Sequence, residues 1–363
     1  MGKPHGIGVV GLGVIAARYL ETLVGHPDVA ITAVADLDHG RSADAASGVP
    51  GCRALSVADL VADDAVDTVL NLTTPDAHAE IALAALAHGK NVYGEKPLAA
   101  TFLDAVSVIG ARGDAWVGCA PDTVLGTGIQ TARAAVDSGS IGRPIAAFAT
   151  WVAPGHEHWH PNPDFYYRAG GGPLLDMGPY YLTSLVQLLG PVTRVTGAAS
   201  RGRDTRTIGS GPRAGERIPV EVDTHVTGIL EHAGGALSTV VLSFDAVASG
   251  AAPIEVHGER GSLSVPDPNT FDGTVRLRLL GEQDWAAVAP SAGYQGAERG
   301  IGLLDFVHGG RRAGGDLALH VLEIMTALLA SARDGVRLPL TTSVERPSLV
   351  PLTTPAQWGK PRP

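Results

Sequence analysis

Three side chains in this chain of 363 residues are suited by type to moving a proton: Lys96, which precedes Pro97, and the pair Asp176 and Tyr180, four residues apart. An ammonium donates a hydrogen bond to an oxygen and favours an alkoxide-like transition state. A carboxylate anchors a hydroxyl, and a phenol becomes a useful base when a neighbouring cation lowers its pKa from about 10. Together they fit oxidation of a secondary alcohol, in which a hydride leaves carbon and a proton leaves oxygen. Read singly, Glu95-Lys96 is also a surface turn, Asp176 a helix N-cap and Tyr180 a half-buried aromatic. A second group of polar and aromatic residues lies in GHEHWHPNPDFYYRAGGG, residues 155–172, which carries His156, His158 and His160 at alternate positions. Alternate histidines on a strand would share a face and bind a metal, but the prolines that follow indicate a loop, and no metal is expected. Aromatic faces stack on sugar rings while imidazoles bond hydroxyls. Trp151, His158, Trp159 and Tyr166 are therefore candidate substrate contacts, with Asp122, Asp176 and Tyr180.

Elements must position these groups. Residues 6–15, GIGVVGLGVI, form a short apolar run broken by glycines, as in a strand buried on both faces. Helical spacing follows, then a second apolar run ending at Asp36. DTVLNLTTP and KNVYGEKP supply two further strand-and-turn segments around the alanine-rich AHAEIALAALAHG. This alternation is that of a doubly wound α/β sheet. Gly11-Leu12-Gly13-Val14-Ile15-Ala16 is a G-x-G-x-x-A variant, in which Gly11 permits the tight turn and Gly13 the approach of a pyrophosphate to the helix start at Val14 and Ile15. Asp36 lies 23 residues after Gly13, near the spacing of about 20 expected for a carboxylate that binds the ribose hydroxyls and repels a 2′-phosphate. NAD is thus expected over NADP, with Arg41 in reach of a phosphate.

Thr73-Thr74-Pro75 with His78, then Glu95-Lys96-Pro97, then Gly170-Gly171-Gly172 leading to Asp176-Met177-Gly178-Pro179-Tyr180 follow one another in the chain. In this combination the sequence resembles the glucose–fructose oxidoreductase / inositol dehydrogenase / rhizopine catabolism (Gfo/Idh/MocA) family, from the glycine turn to Glu345-Arg346-Pro347. The resemblance implies an N-terminal Rossmann domain, residues 1–122, with a doubly wound parallel sheet. It implies an α+β domain after it, residues 123–363, built on a large open and mostly antiparallel sheet that commonly serves in oligomer formation. It also implies a tightly held nicotinamide cofactor and hydride exchange with a carbohydrate or polyol carbon. Thr73, Thr74, Pro75 and His78 would line the cofactor cleft, with Glu95 and Lys96 beside the nicotinamide. The commonest family pattern has His four residues after the Asp; Tyr180 stands there, as in members similar to glucose–fructose oxidoreductase and dimeric dihydrodiol dehydrogenase. Whether Lys96 or Tyr180 carries the proton is left open.

Later segments alternate in the strand manner: IAAFATWV, RVTGAAS, THVTGILEH, ALSTVVLSFD, IEVHGERGSLSV and VRLRLLG. Between them RGRDTRTIGSGPRAGERIP reads as an exposed loop. LALHVLEIMTALLASARDG reads as an amphipathic helix ended by Gly335, and the tail beyond Leu338 as extended. An open sheet with an apolar face needs covering, so a homodimer or homotetramer through the second domain is expected.

Composition limits the functions. With 37 acidic and 27 basic residues the formal charge is −10, which argues against nucleic acid and anionic membranes as partners. No 18-residue charge-free apolar run exists, so no membrane span is expected. The N-terminus lacks a signal-peptide core, and two cysteines supply no disulfide framework, so a reducing cytoplasm is the expected compartment. The competing readings are an NAD-dependent glycosidase that oxidises C3 transiently and eliminates the aglycone, and a non-catalytic NAD-binding protein.

Overall fold

The computed structural model describes residues 3–359. Its first sheet is made of short β-rich runs: β1 (His5–Val10), β2 (Val29–Ala35), β3 (Arg53–Ala54), β4 (Thr68–Asn71), β5 (Asn91–Gly94) and β6 (Val117–Cys119). Helices α1 (Val14–Leu23), α2 (His39–Ser47), α3 (Val57–Ala62), α4 (Pro75–Ala87) and α5 (Phe102–Ala111) lie between them in the chain. The strand order is β3-β2-β1-β4-β5-β6, every neighbouring pair parallel. Ile7, Val9, Val34, Val69 and Leu70 are buried, as strands covered on both faces require. The order reverses between β1 and β4, so the turns after these two strands border the crevice where such sheets bind ligands. The α/β reading of this region holds.

The second sheet opens after α6 (Thr127–Asp137) with β7 (Pro144–Val152), which is followed by α7 (Pro173–Leu189). β8 (Val192–Ser200), the short hairpin β9 (Thr205–Thr207) and β10 (Arg217–Pro219), β11 (His225–His232) and β12 (Leu237–Ser243) come next. Then follow β13 (Ile254–Gly258), β14 (Gly261–Val265), β15 (Val275–Leu279), β16 (Ala286–Val288), α8 (Ile301–Val307), α9 (Gly315–Asp334), β17 (Leu338–Pro339) and α10 (Pro355–Trp358). The nine-stranded order is β16-β15-β14-β13-β7-β12-β11-β8-β17. β7 and β12 run parallel and the other described pairs of this sheet antiparallel. α7 packs on β7, β11 and β12. A Cβ at Gly197 or Gly228 would meet Leu328 of α9 at 2.2 or 2.5 Å, so these paired glycines let α9 lie close on the sheet.

Several expectations need correction. The chain divides into Met1–Thr127, Ala292–Leu319 and Pro347–Pro363 as one unit and Gly128–Ser291 with His320–Arg346 as another, so the second domain is not the uninterrupted 123–363. The segment around α8 is tied to the first unit by Asp122, which accepts the N–H groups of Gly300 and Gly302, and by Trp116 stacked on Phe306 at 4.0 Å. Residues 201–219 are mostly exposed, as expected, but they form the β9–β10 hairpin, which buries Arg206, Ile208 and Ile218. IEVHGERGSLSV is two strands, because Glu259-Arg260 turns the chain between β13 and β14. α9 is long and apolar enough by length and composition to cross a membrane, although 56 % of its most apolar window is buried within the protein. Its apolar face, including Leu322, Met325 and Leu328, is already packed.

Candidate functional site

In the first unit the glycine turn has two separate requirements. Gly11 has φ +89°, and a Cβ there would meet the backbone of Leu72 and Thr73 at 2.8 Å; only glycine suits both. Gly13 is under no such backbone constraint. A Cβ on it would meet nothing within 4 Å, so it opens space above the start of α1, which has no side-chain cap. Val14 is 96 % exposed in that first turn, with Ile15 half-buried beside it. Asp36 closes the turn from β2: its Oδ2 accepts the Leu12 N–H at 2.7 Å and its Oδ1 the Asp38 N–H at 2.9 Å. Arg41 faces two carboxylates, 3.6 Å from Asp36 and 3.5 Å from Asp38. Open space over a helix start, with a carboxylate on the neighbouring strand, is a donor and acceptor set that fits a dinucleotide. Leu37, fully exposed at the end of β2, belongs to this rim and escaped the sequence reading. Its signal is an apolar residue directly after the ribose-type acid.

Thr74 and Pro75 start α4 on the exposed side of the β4 turn, while the Thr73 hydroxyl donates to Asn71 at 2.7 Å. His78 does not reach the cleft. It is buried, with Nδ1 2.7 Å from the Pro97 carbonyl and Nε2 3.1 Å from that of Thr73. It braces the β4 turn against the turn that carries Lys96. Glu95 is likewise occupied: Tyr19 donates to one oxygen at 2.8 Å and the Lys96 N–H to the other at 3.0 Å. Burial and then the Glu95 charge push the Tyr19 phenol well above its usual range, so it remains a donor. Lys96 is half-buried after β5, and its bond to Pro97 is cis. Asp122 is 0 % exposed; its carboxylate caps α8 and pairs with Arg299 at 3.5 Å, so it is structural rather than a substrate contact. Burial, partly offset by Arg299, raises its pKa.

In the second unit the candidate groups gather beyond the carboxyl ends of β7 and β12. α7 starts at Pro173, so Asp176 lies in its first turn rather than at an N-cap, and Pro179 lies within the helix. The glycine run explains the start. Gly172 has φ +95°, and a Cβ on Gly171 would meet the Phe165 and Tyr166 carbonyl oxygens at 2.5 and 2.6 Å. The loop is thereby folded back so that Tyr166 stands near the head of α7. Asp176 lies on the first turn, and its Oδ2 is 2.8 Å from Nε2 of His156. Tyr180 is one turn further on and buried, its carbonyl accepting from Ser184. The His156 ring lies 4.3 Å from Tyr166, 4.8 Å from Phe244, 5.2 Å from Trp159 and 5.8 Å from Trp151. Trp151, Trp159, Tyr166 and Asp176 thus surround His156. His158 is turned away, exposed and 3.6 Å from Glu157. His156 and His158 stand on a 3₁₀ turn, with His160 just after it, rather than on a strand, which breaks the shared face that alternation would give.

The turn is held by buried charge. Arg206 and Glu157, 1 % and 2 % exposed, pair at 3.0 Å, and Arg206 also pairs with Asp245. Tyr167 donates to Glu157, and Thr224 to Asp245. Burial pushes the Tyr167 phenol up. A glycine-turn nucleotide fold followed by a sheet domain whose helix presents an aspartate is a divided architecture, and known proteins share it.

Residues 5–112 match the oxidoreductase family with an NAD-binding Rossmann fold, and residues 129–264 match the GFO/IDH/MocA C-terminal domain. A 1,5-anhydro-D-fructose reductase of Ensifer adhaerens is 30 % identical over 80 % of this chain and 84 % of its own. The chain belongs to the Gfo/Idh/MocA oxidoreductase family. An inositol 2-dehydrogenase of Saccharopolyspora erythraea is 29 % identical over 77 % of this chain and 79 % of its own. Among solved Gfo/Idh/MocA-like folds, a levoglucosan dehydrogenase in complex with NADH and L-sorbose matches with a TM-score of 0.76 at 21 % identity, covering 94 % of this chain and 100 % of its own. As a family member the chain is an oxidoreductase with an NAD-binding Rossmann domain.

Proposed function

We propose that this protein transfers a hydride between a secondary hydroxyl of a sugar, inositol or glycoside and NAD. The observation that carries the reading is the Asp176 carboxylate, set at the head of α7 against an imidazole that is ringed by aromatic side chains. A polar acceptor in an aromatic wall suits a ring that is apolar on its faces and hydroxylated on its edge. Relatives named for anhydrofructose, inositol and levoglucosan support the same substrate class.

When bound, the dinucleotide accepts or returns the hydride. The chain's own residues do the rest. Lys96 donates a hydrogen bond to the substrate oxygen and stabilises the negative charge that develops there. Asp176 accepts from a substrate hydroxyl and orients it, and Tyr180 is the phenol next along the same helix for proton transfer. Gly13 admits the pyrophosphate, with Val14 and Ile15 at the helix start, and Asp36 accepts from the ribose hydroxyls. Thr74 and Pro75 border the same crevice. NAD is preferred over NADP because a 2′-phosphate would meet Asp36 and Asp38, whose charges already engage Arg41. The free thiols of Cys52 and Cys119 accord with a reducing, cytoplasmic compartment.

The outer face of the large sheet supports self-association. The registers align Glu255, Phe148, Thr239, Ile229 and Thr196 in one row and His257, Ala146, Leu237, Glu231 and Arg194 in the next. Phe148, Ile229 and Leu237 are each about half exposed there. An apolar centre rimmed by charge is the anatomy of an interface, and a homodimer or homotetramer would cover it.

Incubation with myo-inositol, levoglucosan or other polyols plus NAD, and with 1,5-anhydro-D-fructose plus NADH, tests the function by nicotinamide absorbance. Stoichiometric change with at least one compound is expected. Release of aglycone from a glycoside without net NADH would establish the glycosidase instead. Silence across the panel, in both directions and with both cofactors, would remove the dehydrogenase reading.

A further inference from the structure

His156 is the best-supported functional residue that the reading above leaves without a role. The residue is 8 % exposed, and its Nε2 lies 2.8 Å from Oδ2 of Asp176. The other ring nitrogen, Nδ1, is buried with no hydrogen-bond partner among the described residues. That asymmetry assigns the proton. A hydrogen on Nδ1 would be a buried unsatisfied donor and would leave two acceptors facing each other at Nε2 and Oδ2. A hydrogen on Nε2 satisfies the short contact and leaves only a lone pair unpaired. The ring has little freedom to turn, because Tyr166, Phe244, Trp159 and Trp151 surround it at 4.3 to 5.8 Å. The backbone beneath is held by the next residue, Glu157, through Arg206 and Tyr167.

We propose that His156 is the positioning residue for Asp176: its Nε2–H pins Oδ2 and holds the carboxylate in the orientation in which it meets the substrate. The proposal rests on the dehydrogenase reading for its kinetic consequence, but the hydrogen bond itself is testable without turnover. A caged imidazole donor that cannot turn narrows the orientations open to the carboxylate it holds. The donor comes from the loop after β7, far in sequence from the helix that carries the acid, so helix spacing alone would not reveal it.

Two measurements decide it. In the intact protein with 15N-labelled histidine, His156 should be the Nε2–H tautomer, and Asp176→Asn should move its Nε2–H resonance while leaving the Nδ1–H resonances of His232 and His320, whose Nε2 atoms accept from Ser238 and from the Val192 N–H, in place. An Nδ1–H tautomer, or a resonance indifferent to Asp176→Asn, would overturn the proposal whatever the activity. With the best compound of the panel, His156→Ala should lower kcat about 100-fold and His156→Gln, which restores an N–H near the same point, should return it to within about fivefold of wild type, the scale expected for loss and recovery of orientation. NADH affinity should be unchanged in both. If glutamine rescues no better than alanine, or alanine turns over normally, the positioning role is wrong. A wild type silent on the whole panel would count against the dehydrogenase reading alone, and the resonance would still decide the contact.

Discussion

Asp36, Glu95, Asp122 and Asp176 are all carboxylates beside motifs of the family, yet their free acceptor capacity differs. A carboxylate offers about four lone-pair sites. Glu95 gives one oxygen to Tyr19 and the other to the Lys96 N–H, and Asp122 is sealed beneath Gly300, Gly302 and Arg299. Asp36 accepts one N–H on each oxygen and keeps lone pairs for a ribose. On Asp176, Oδ2 faces Nε2 of His156. Asp36→Ala is therefore expected to weaken NAD binding by at least about tenfold, the scale of a lost charged hydrogen bond, and to weaken NADP binding less. Titration of nicotinamide fluorescence measures both, and an equal effect on the two cofactors would mean that Asp36 does not face the ribose. The identity and spacing of Asp36 were legible in the sequence because strand, turn and acid are local. The burial of Asp122 was not, because its partners lie about 180 positions away and bond through backbone N–H groups that any residue carries.

At the scale of elements, β1, β2, β4, β5, α1 and α4 of the first unit could be read from apolar runs and glycines; the shorter or less patterned β3, β6, α2, α3 and α5 could not, nor could the β9–β10 hairpin. Its composition is basic and glycine-bearing, as in a solvated loop. It folds inward because Arg206 finds two carboxylates and Ile208 and Ile218 join Tyr167 and Phe244 in one apolar cluster. Arg206→Met should destabilise the protein by about 3–5 kcal/mol, since it strands Glu157 as an unpaired buried charge. Urea unfolding measures this, and a loss under about 1 kcal/mol would show that water reaches the pair. His232, at the end of β11, bonds the Gly190 carbonyl and Ser238 across to α7 and β12. Burial pushes its pKa down to about 4 from 6.5. Between these values the unfolded chain holds the proton and the folded one does not. Stability from this group is complete above pH about 6.5 and declines toward pH about 4, by about 3 kcal/mol for this single site. Buried His320, also lowered, acts in the same direction. The contribution is read by comparing the pH dependence of unfolding in wild type and His232→Gln; identical curves would contradict it.

For the whole molecule, the two-part architecture was legible and its continuity along the chain was not. Residues 292–319 and 347–359 return to the nucleotide-binding unit, and nothing in their composition marks them, because packing partners such as Phe306 on Trp116 look like any core aromatic. The open sheet was legible in outline from its alternating strands, and the registers now show which residues share its outer face. Phe148→Lys combined with Ile229→Lys should convert the assembly to a monomer, as read by light scattering on a sizing column. An unchanged mass would place the interface elsewhere. Catalysis rests on one assignment above all, that the Lys96 ammonium serves the reacting oxygen. The most direct measurement is turnover of Lys96→Ala on the best compound of the panel, with NADH affinity measured in parallel. The expected result is a fall in kcat of at least about 100-fold with cofactor binding retained; near-normal turnover would contradict the account.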